Sequence, residues 1–190
     1  LDFHPNGGQR LTVHVVSDDG KNLAGAVASV LWNVDGTWTT LDRNSDAAGL
    51  ARFTECPSRE IWVRARCAGY APKRIDPIDA SIPQLAPILI TLEPAGRIDG
   101  RCLHGVAPVR DFTVVFWKDN PNHKESVDFH GRADGQFTID EAPRGHLTLL
   151  AYSQEYPRSE PQNVSVDIGQ PTQVEISLPD SIIGRGHVVD

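Results

Sequence analysis

Short runs in which apolar and polar residues alternate dominate the chain. In residues 61–66 (IWVRAR), Ile61, Val63 and Ala65 share one side while Trp62, Arg64 and Arg66 share the other. That period of two is the signature of a half-buried β-strand. Residues 10–16 (RLTVHVV) and 88–93 (ILITLE) read the same way. Residues 25–32 (GAVASVLW) and 112–117 (FTVVFW) are apolar on both parities, as strands nearer the middle of a sheet are. Proline turns such as Pro57-Ser58-Arg59 and Pro143-Arg144-Gly145 separate the runs. A hairpin turning at Pro57–Glu60 would set Cys56 opposite Ile61 and Cys67 opposite Leu50. No segment keeps a capped helical period over three turns, so the expectation is all-β.

The pattern occurs twice. Residues 46–72 overlie residues 132–158 without a gap, at an offset of 86 (135 − 49). Gly49 then meets Gly135, Pro57 meets Pro143, Ile61 meets Leu147, Ala65 meets Ala151 and Tyr70 meets Tyr156. Upstream an offset of 85 (117 − 32) pairs Gly20 with Gly105, Val30 with Val115 and Trp32 with Trp117. The tail, "SIIGRGHVVD" from Ser181, shares its Ile-x-Gly-Arg core with "RIDGRCLHG" from Arg97. Repetition is the first thing to settle in a chain, because it fixes the architecture. We expect one sandwich over 1–94, a second, diverged copy over 95–180, and the first strand of a truncated third copy over 181–190. Each copy supplies about seven short strands at the spacing of a Greek-key β-sandwich. The chain opens on Leu1 and has no Met, which reads as a mature product or a piece of a longer array.

Within each copy the order of motifs carries a resemblance. "DDGKNLAGA" (Asp18–Ala26) precedes a Val-rich strand, and an Asp-type turn follows, "DAAG" at 46–49 and "RADG" at 132–135. A Pro turn, an alternating strand, "CAGYAP" at 67–72 and a closing apolar-Thr-Leu strand complete the unit. The whole chain resembles tandem carboxypeptidase regulatory-like domains, which are transthyretin-like β-sandwiches. Copy two departs from that pattern at "HGVAPVRD" and "SQEY". The resemblance implies a scaffolding role beside other domains and an extracellular, cell-surface or periplasmic location. Fold likeness does not choose among functions.

Composition and charge narrow the classes. A net charge of −7 disfavours nucleic acid and anionic membrane surfaces, which need Lys and Arg to meet phosphates. No run approaches the roughly 20 apolar residues of a membrane helix. The three cysteines, Cys56, Cys67 and Cys102, form no disulfide framework. Cys67 shares the inward parity of Val63 and Ala65 and is expected to pack as a small hydrophobe.

Chemistry is thin. None of the seven histidines sits in a zinc-hydrolase pattern. His123 and His130 could meet as a weak metal pair, but two donors rarely complete a zinc site, and a polar surface loop is the expected reading. Residues 42–49 (DRNSDAAG) space oxygens as a calcium loop does, but Phe53 stands where the bidentate Glu belongs. Asp and Asn capping their own turn explains the stretch. Lys21, Lys73, Lys118 and Lys124 lie by turns or polar loops, unsuited to a buried isopeptide lock. Gly49 and Gly135 suit positive φ or close chain approach. Tyr70 and Tyr156 end their strands where a tyrosine corner would bond back to the backbone. Trp32 and Trp117, at equivalent places, suggest core packing. Trp62, with outward parity, and Trp38, on a neighbouring hairpin, form the candidate binding pair. An exposed pair would stack on a sugar or meet a neighbouring domain; partial burial under Arg64 and Arg66 is the structural alternative.

We therefore expect a monomeric, non-catalytic spacer, a rod of sandwiches joined by the stiff link Leu92–Gly96, with neighbouring domains of its own polypeptide as partners. It needs no cofactor and no metal. The alternatives are a glycan- or protein-binding module using the aromatics, or the accessory domain of an enzyme whose catalytic part lies outside these residues.

Overall fold

The computed structural model describes residues 9–75, 77–82, 86–121 and 123–180. The expected third-copy strand at 181–190 lies outside them. The chain divides into two compact units, residues 1–95 and, apart from 141–143, residues 96–190. Among the described residues every regular element is a strand, and each unit is a Greek-key β-sandwich.

In the first unit, β1 (Gln9–Ser17) lies between β4 (Leu50–Cys56) and β8 (Ile88–Leu92). β1 runs antiparallel to β4 and parallel to β8. The facing sheet runs β3 (Thr37–Asn44), β2 (Val27–Val34), β5 (Glu60–Arg66) and β6 (Lys73–Arg74), with the short β7 (Ile78–Asp79) also on β5. Inward residues of both sheets, among them Val13, Val15, Phe53 and Ile90 from one and Val30, Ile61 and Val63 from the other, are buried in one core. The strands apolar on both parities do occupy inner places: β2 lies between β3 and β5.

The second unit repeats the plan. β9 (Gly96–His104) lies between β13 (Gln136–Ala142) and the parallel β16 (Thr172–Leu178), with β10 (Ala107–Pro108) folded back on it. The other sheet runs β12 (Glu125–Phe129), β11 (Phe112–Trp117), β14 (Gly145–Tyr152) and β15 (Gln162–Val166).

Two expectations are corrected. The turn at Pro57–Arg59 does not close a hairpin: β4 pairs with β1, whereas β5 pairs with β2. Cys56 therefore lies beside Gln9, not Ile61, and the turn carries the chain across the core from sheet to sheet. Because the two strands belong to facing sheets, their buried alternating faces meet across the core rather than along one sheet. A register irregularity between Gln9 and Leu11 also lets Cys56 point inward, three residues after Phe53, as a β-bulge does.

The second correction concerns the tryptophans. Val30 pairs with Val63, and Phe116 pairs with Leu149, so Val30 corresponds to Phe116 and the offset along these strands is 86. Trp32 and Trp117 are thus not equivalent. Trp32 has the inward parity of Ala28 and Val30 and packs, half-buried, against the core. Trp117 takes the outward place of Leu31, and the Lys124 ammonium sits 4.9 Å over its ring. A slip of one residue moves a side chain to the other face.

Candidate functional site

Trp38 and Trp62 come together on the outer face of the sheet β3–β2–β5–β6. Leu31 on β2 faces Thr40 on one side and Trp62 on the other, while Trp38 faces Asn33. The two indoles meet edge to face, ring centroids 4.9 Å apart and 71° between planes. That is a favoured aromatic geometry. Trp38 is 56% exposed and Trp62 half-buried. Around them the register sets out charge that the sequence alone conceals. Arg64 lies across the β5–β6 pair from Arg74, and Asp42 and Arg64 flank Ser29 from either side. At the end near Trp38, Arg59 Nη1 donates to the Asn33 carbonyl at 3.4 Å. Sequence reading found the aromatic pair from parity but missed the Arg64–Arg74 juxtaposition, which depends on a two-residue strand no periodicity reveals.

The remaining candidates have positions with simpler roles. Gly49 (φ +73°) and Gly135 (φ +67°) are geometrically matched: each carbonyl accepts from the first strand of its unit, from Val15 N at 2.8 Å and from Cys102 N at 2.9 Å. Tyr70 joins the backbone network through its own amide, which donates to Cys67 O at 3.0 Å, and bridges to Pro94. The Tyr156 ring stacks on the His104 imidazole, centroids 4.0 Å apart, and His104 Nε2 lies 2.8 Å from Asp180 Oδ1.

Asp46 caps the turn at 46–49. Its Oδ1 accepts from Ala48 N at 2.9 Å and Leu50 N at 3.0 Å, and Oδ2 meets the Arg52 guanidinium. The guanidinium first, then the Leu50 amide, hold this carboxyl below the usual range. These donors take up both carboxylate oxygens that Asp46 would have offered a calcium ion. His123 and His130 stand at either end of β12, roughly 20 Å apart at strand rise, and His130 Nδ1 is 3.4 Å from Asp111 Oδ1. Among the described residues no three His, Cys, Asp or Glu side chains gather as a metal site. Nor is any helix there long and apolar enough to cross a membrane.

The thiols are free. Burial pushes Cys56 up to about 11 and Cys102 up to about 12, which keeps both protonated and poorly nucleophilic at neutral pH. Cys67 is half-buried against the first core. Thiol titration of the native chain is expected to label Cys67 alone, with Cys56 and Cys102 reacting only after denaturant. Rapid native labelling of a second thiol would contradict the burial.

No protein-family model matches the chain, and no curated protein matches it. Solved structures do. A streptococcal ancillary pilin is 15% identical over 92% of this chain and 63% of its own, at a TM-score of 0.36. A minor pilin of Streptococcus agalactiae is 12% identical over 96% of this chain and 100% of its own, at 0.35. The major pilin subunit of Bacillus cereus is 10% identical over 91% and 99%, at 0.37. The chain thus spans just under two thirds of the ancillary pilin. At these identities the likeness is one of fold alone.

Proposed function

We propose that the chain is a non-catalytic structural module that spaces other parts of a longer extracellular or surface polypeptide. The observation that carries this reading is the parallel pairing of first and last strands in both units. β1 begins at Gln9 and ends at Ser17, and Ser17 lies beside Leu92, the last residue of β8. The chain therefore enters the unit at one end and leaves it roughly 25 Å away, at strand rise. In the second unit β9 begins at Gly96, and its last residue, His104, lies beside Leu178 at the end of β16. A module that takes the chain in at one end and releases it at the other adds length for every copy. The link Glu93–Ala95 supports the same role. It is fastened to the first unit's own loop, Glu93 O accepting from Ala71 N and Ala95 N donating to Gly69 O, each at 2.9 Å.

Tension along such a chain loads the terminal pair in shear, so its hydrogen bonds fail together rather than one after another. Five residue pairs join β1 to β8 and seven join β9 to β16. Stretching single molecules is expected to give two sawtooth events, the first unit yielding at the lower force. A force trace without distinct peaks, or robust hydrolase activity from the purified chain, would end this reading. The family resemblance supports the surface location; the partners are neighbouring domains of the same polypeptide.

A further inference from the structure

We infer that the outer face of the sheet β3–β2–β5–β6 binds an anionic polysaccharide, with Trp38 and Trp62 as the stacking platform and Arg64, Arg66 and Arg74 as the carboxylate- or sulfate-binding edge. The face has two adjoining characters. One row across the sheet is Thr40–Leu31–Trp62, with Trp38 packed edge-on against Trp62 at 4.9 Å. The next is Asp42–Ser29–Arg64–Arg74. Arg66 stands two residues beyond Arg64, on the same face by parity, and is exposed. Residues 59–74 hold Arg59, Arg64, Arg66, Lys73 and Arg74 against Glu60 alone, in a chain of net charge −7.

An internal comparison with the second unit marks this as more than a solvated surface. At the places of Trp62, Arg64 and Arg66 it carries Thr148, Leu150 and Tyr152, and at the place of Asp42 it carries Ser126. On that face the second unit carries Trp117 with the Lys124 ammonium over it and Tyr152, so the same sandwich folds there without the paired indoles and without the arginine row. Neither is a demand of the fold.

The chemistry selects the ligand. An indole face carries negative charge density and meets the weakly positive C–H side of a pyranose ring, while its flatness suits an extended sugar chain. Guanidinium forks bind carboxylate or sulfate oxygens in a fixed plane. Tryptophan and arginine also occur in protein interfaces, so an acidic polypeptide is the competing occupant, which polyglutamate tests; among the described residues the exposed large apolar side chains on this sheet are Trp38 and, at its end, Val34.

The test is affinity electrophoresis of the whole chain in gels containing polygalacturonate, chondroitin sulfate, a neutral β-glucan or polyglutamate. Retardation by polygalacturonate, whose acidic groups are carboxylates only, or by chondroitin sulfate, which carries sulfate as well as carboxylate, is expected, and retardation by the second alone assigns the edge to sulfate. Trp38→Ala, and separately Arg64→Leu with Arg66→Tyr, should each weaken binding at least tenfold. The arginine substitutions install the second unit's residues, and Trp38 is largely exposed, so melting temperatures should stay unchanged. If Trp62→Thr unfolds the unit, Trp38→Ala still decides the matter. No retardation by either acidic polysaccharide, equal retardation by the neutral glucan, or binding to polyglutamate untouched by Trp38→Ala would each overturn the proposal. None of these outcomes bears on the force trace that tests the spacer role.

Discussion

Alanine at Gly49 or at Gly135 is expected to destabilise its unit by about 2–4 kcal/mol, among the larger effects a single methyl can have. Two costs add. At φ +73° and +67° an L side chain sits in the left-handed region, which costs roughly 1–2 kcal/mol. The new Cβ would also lie 2.6 Å from Val15 O in the first unit and 2.5 Å from Cys102 O in the second. These are backbone oxygens of β1 and β9, which accept from Leu23 N and Val109 N at 3.0 Å while the amides of the same residues donate to the glycines' own carbonyls, so no rotamer change relieves the conflict. Gly20 separates the two terms. Its φ is +82°, and an added methyl would meet nothing within 4 Å, so Gly20→Ala should lose only the left-handed cost. Urea unfolding measures all three. Equal losses at Gly20 and Gly49 would show that the strand contact contributes nothing.

Much of this fold was legible because alternation is local. β5 and β8 announce their inward faces, Ile61, Val63 and Ala65 on one, Ile90 and Leu92 on the other, whatever pairs beside them. Pairing is not local. β4 and β5 each alternate, and nothing in either strand distinguishes a hairpin within one sheet from a crossing between two. The same limit hid the tryptophan correction. An offset read as 85 instead of 86 looks like a small error in a repeat, yet it exchanges core for solvent, because strand faces alternate at every residue. The candidate site was half legible for the same reason. Parity put Trp62 outside, but the Arg64–Arg74 pair exists only through the register of β6, two residues long. The Tyr156–His104 stack likewise joins the bend after β14 to the end of β9, far apart in the chain, where the sequence suggested a local tyrosine corner at a strand end.

The two cores offer a sharper experiment, because they solve one packing problem in opposite ways. In the first unit Val13 lies between Ala51 on β4 and Ile88 on β8. In the second, Gly100 lies on β9 opposite Val174 of β16, and Phe137 of β13 reaches over it. Small beside large has become large beside nothing, with the Phe137 ring filling the space a valine fills in the other copy. A Cβ on Gly100 would fall 2.5 Å from Phe137 Cζ and 2.7 Å from Val174 Cγ1. Phe137 in turn packs with Phe112 and Phe129, centroids 5.8 and 5.4 Å away. Gly100→Val alone should overpack the site and cost about 1–3 kcal/mol. Phe137→Ala alone should open a cavity and cost about 3–5 kcal/mol. Together they rebuild the Val13–Ala51 arrangement, so the valine enters space the ring has left. The double variant should therefore be more stable than the sum of the single losses by about 1–3 kcal/mol, a coupling typical of residues in contact. Val174 still crowds the new side chain, which keeps the rescue incomplete. Strict additivity in urea unfolding, within about 0.5 kcal/mol, would mean that the ring and the missing side chain are unrelated, and that the second core is not a repacked version of the first.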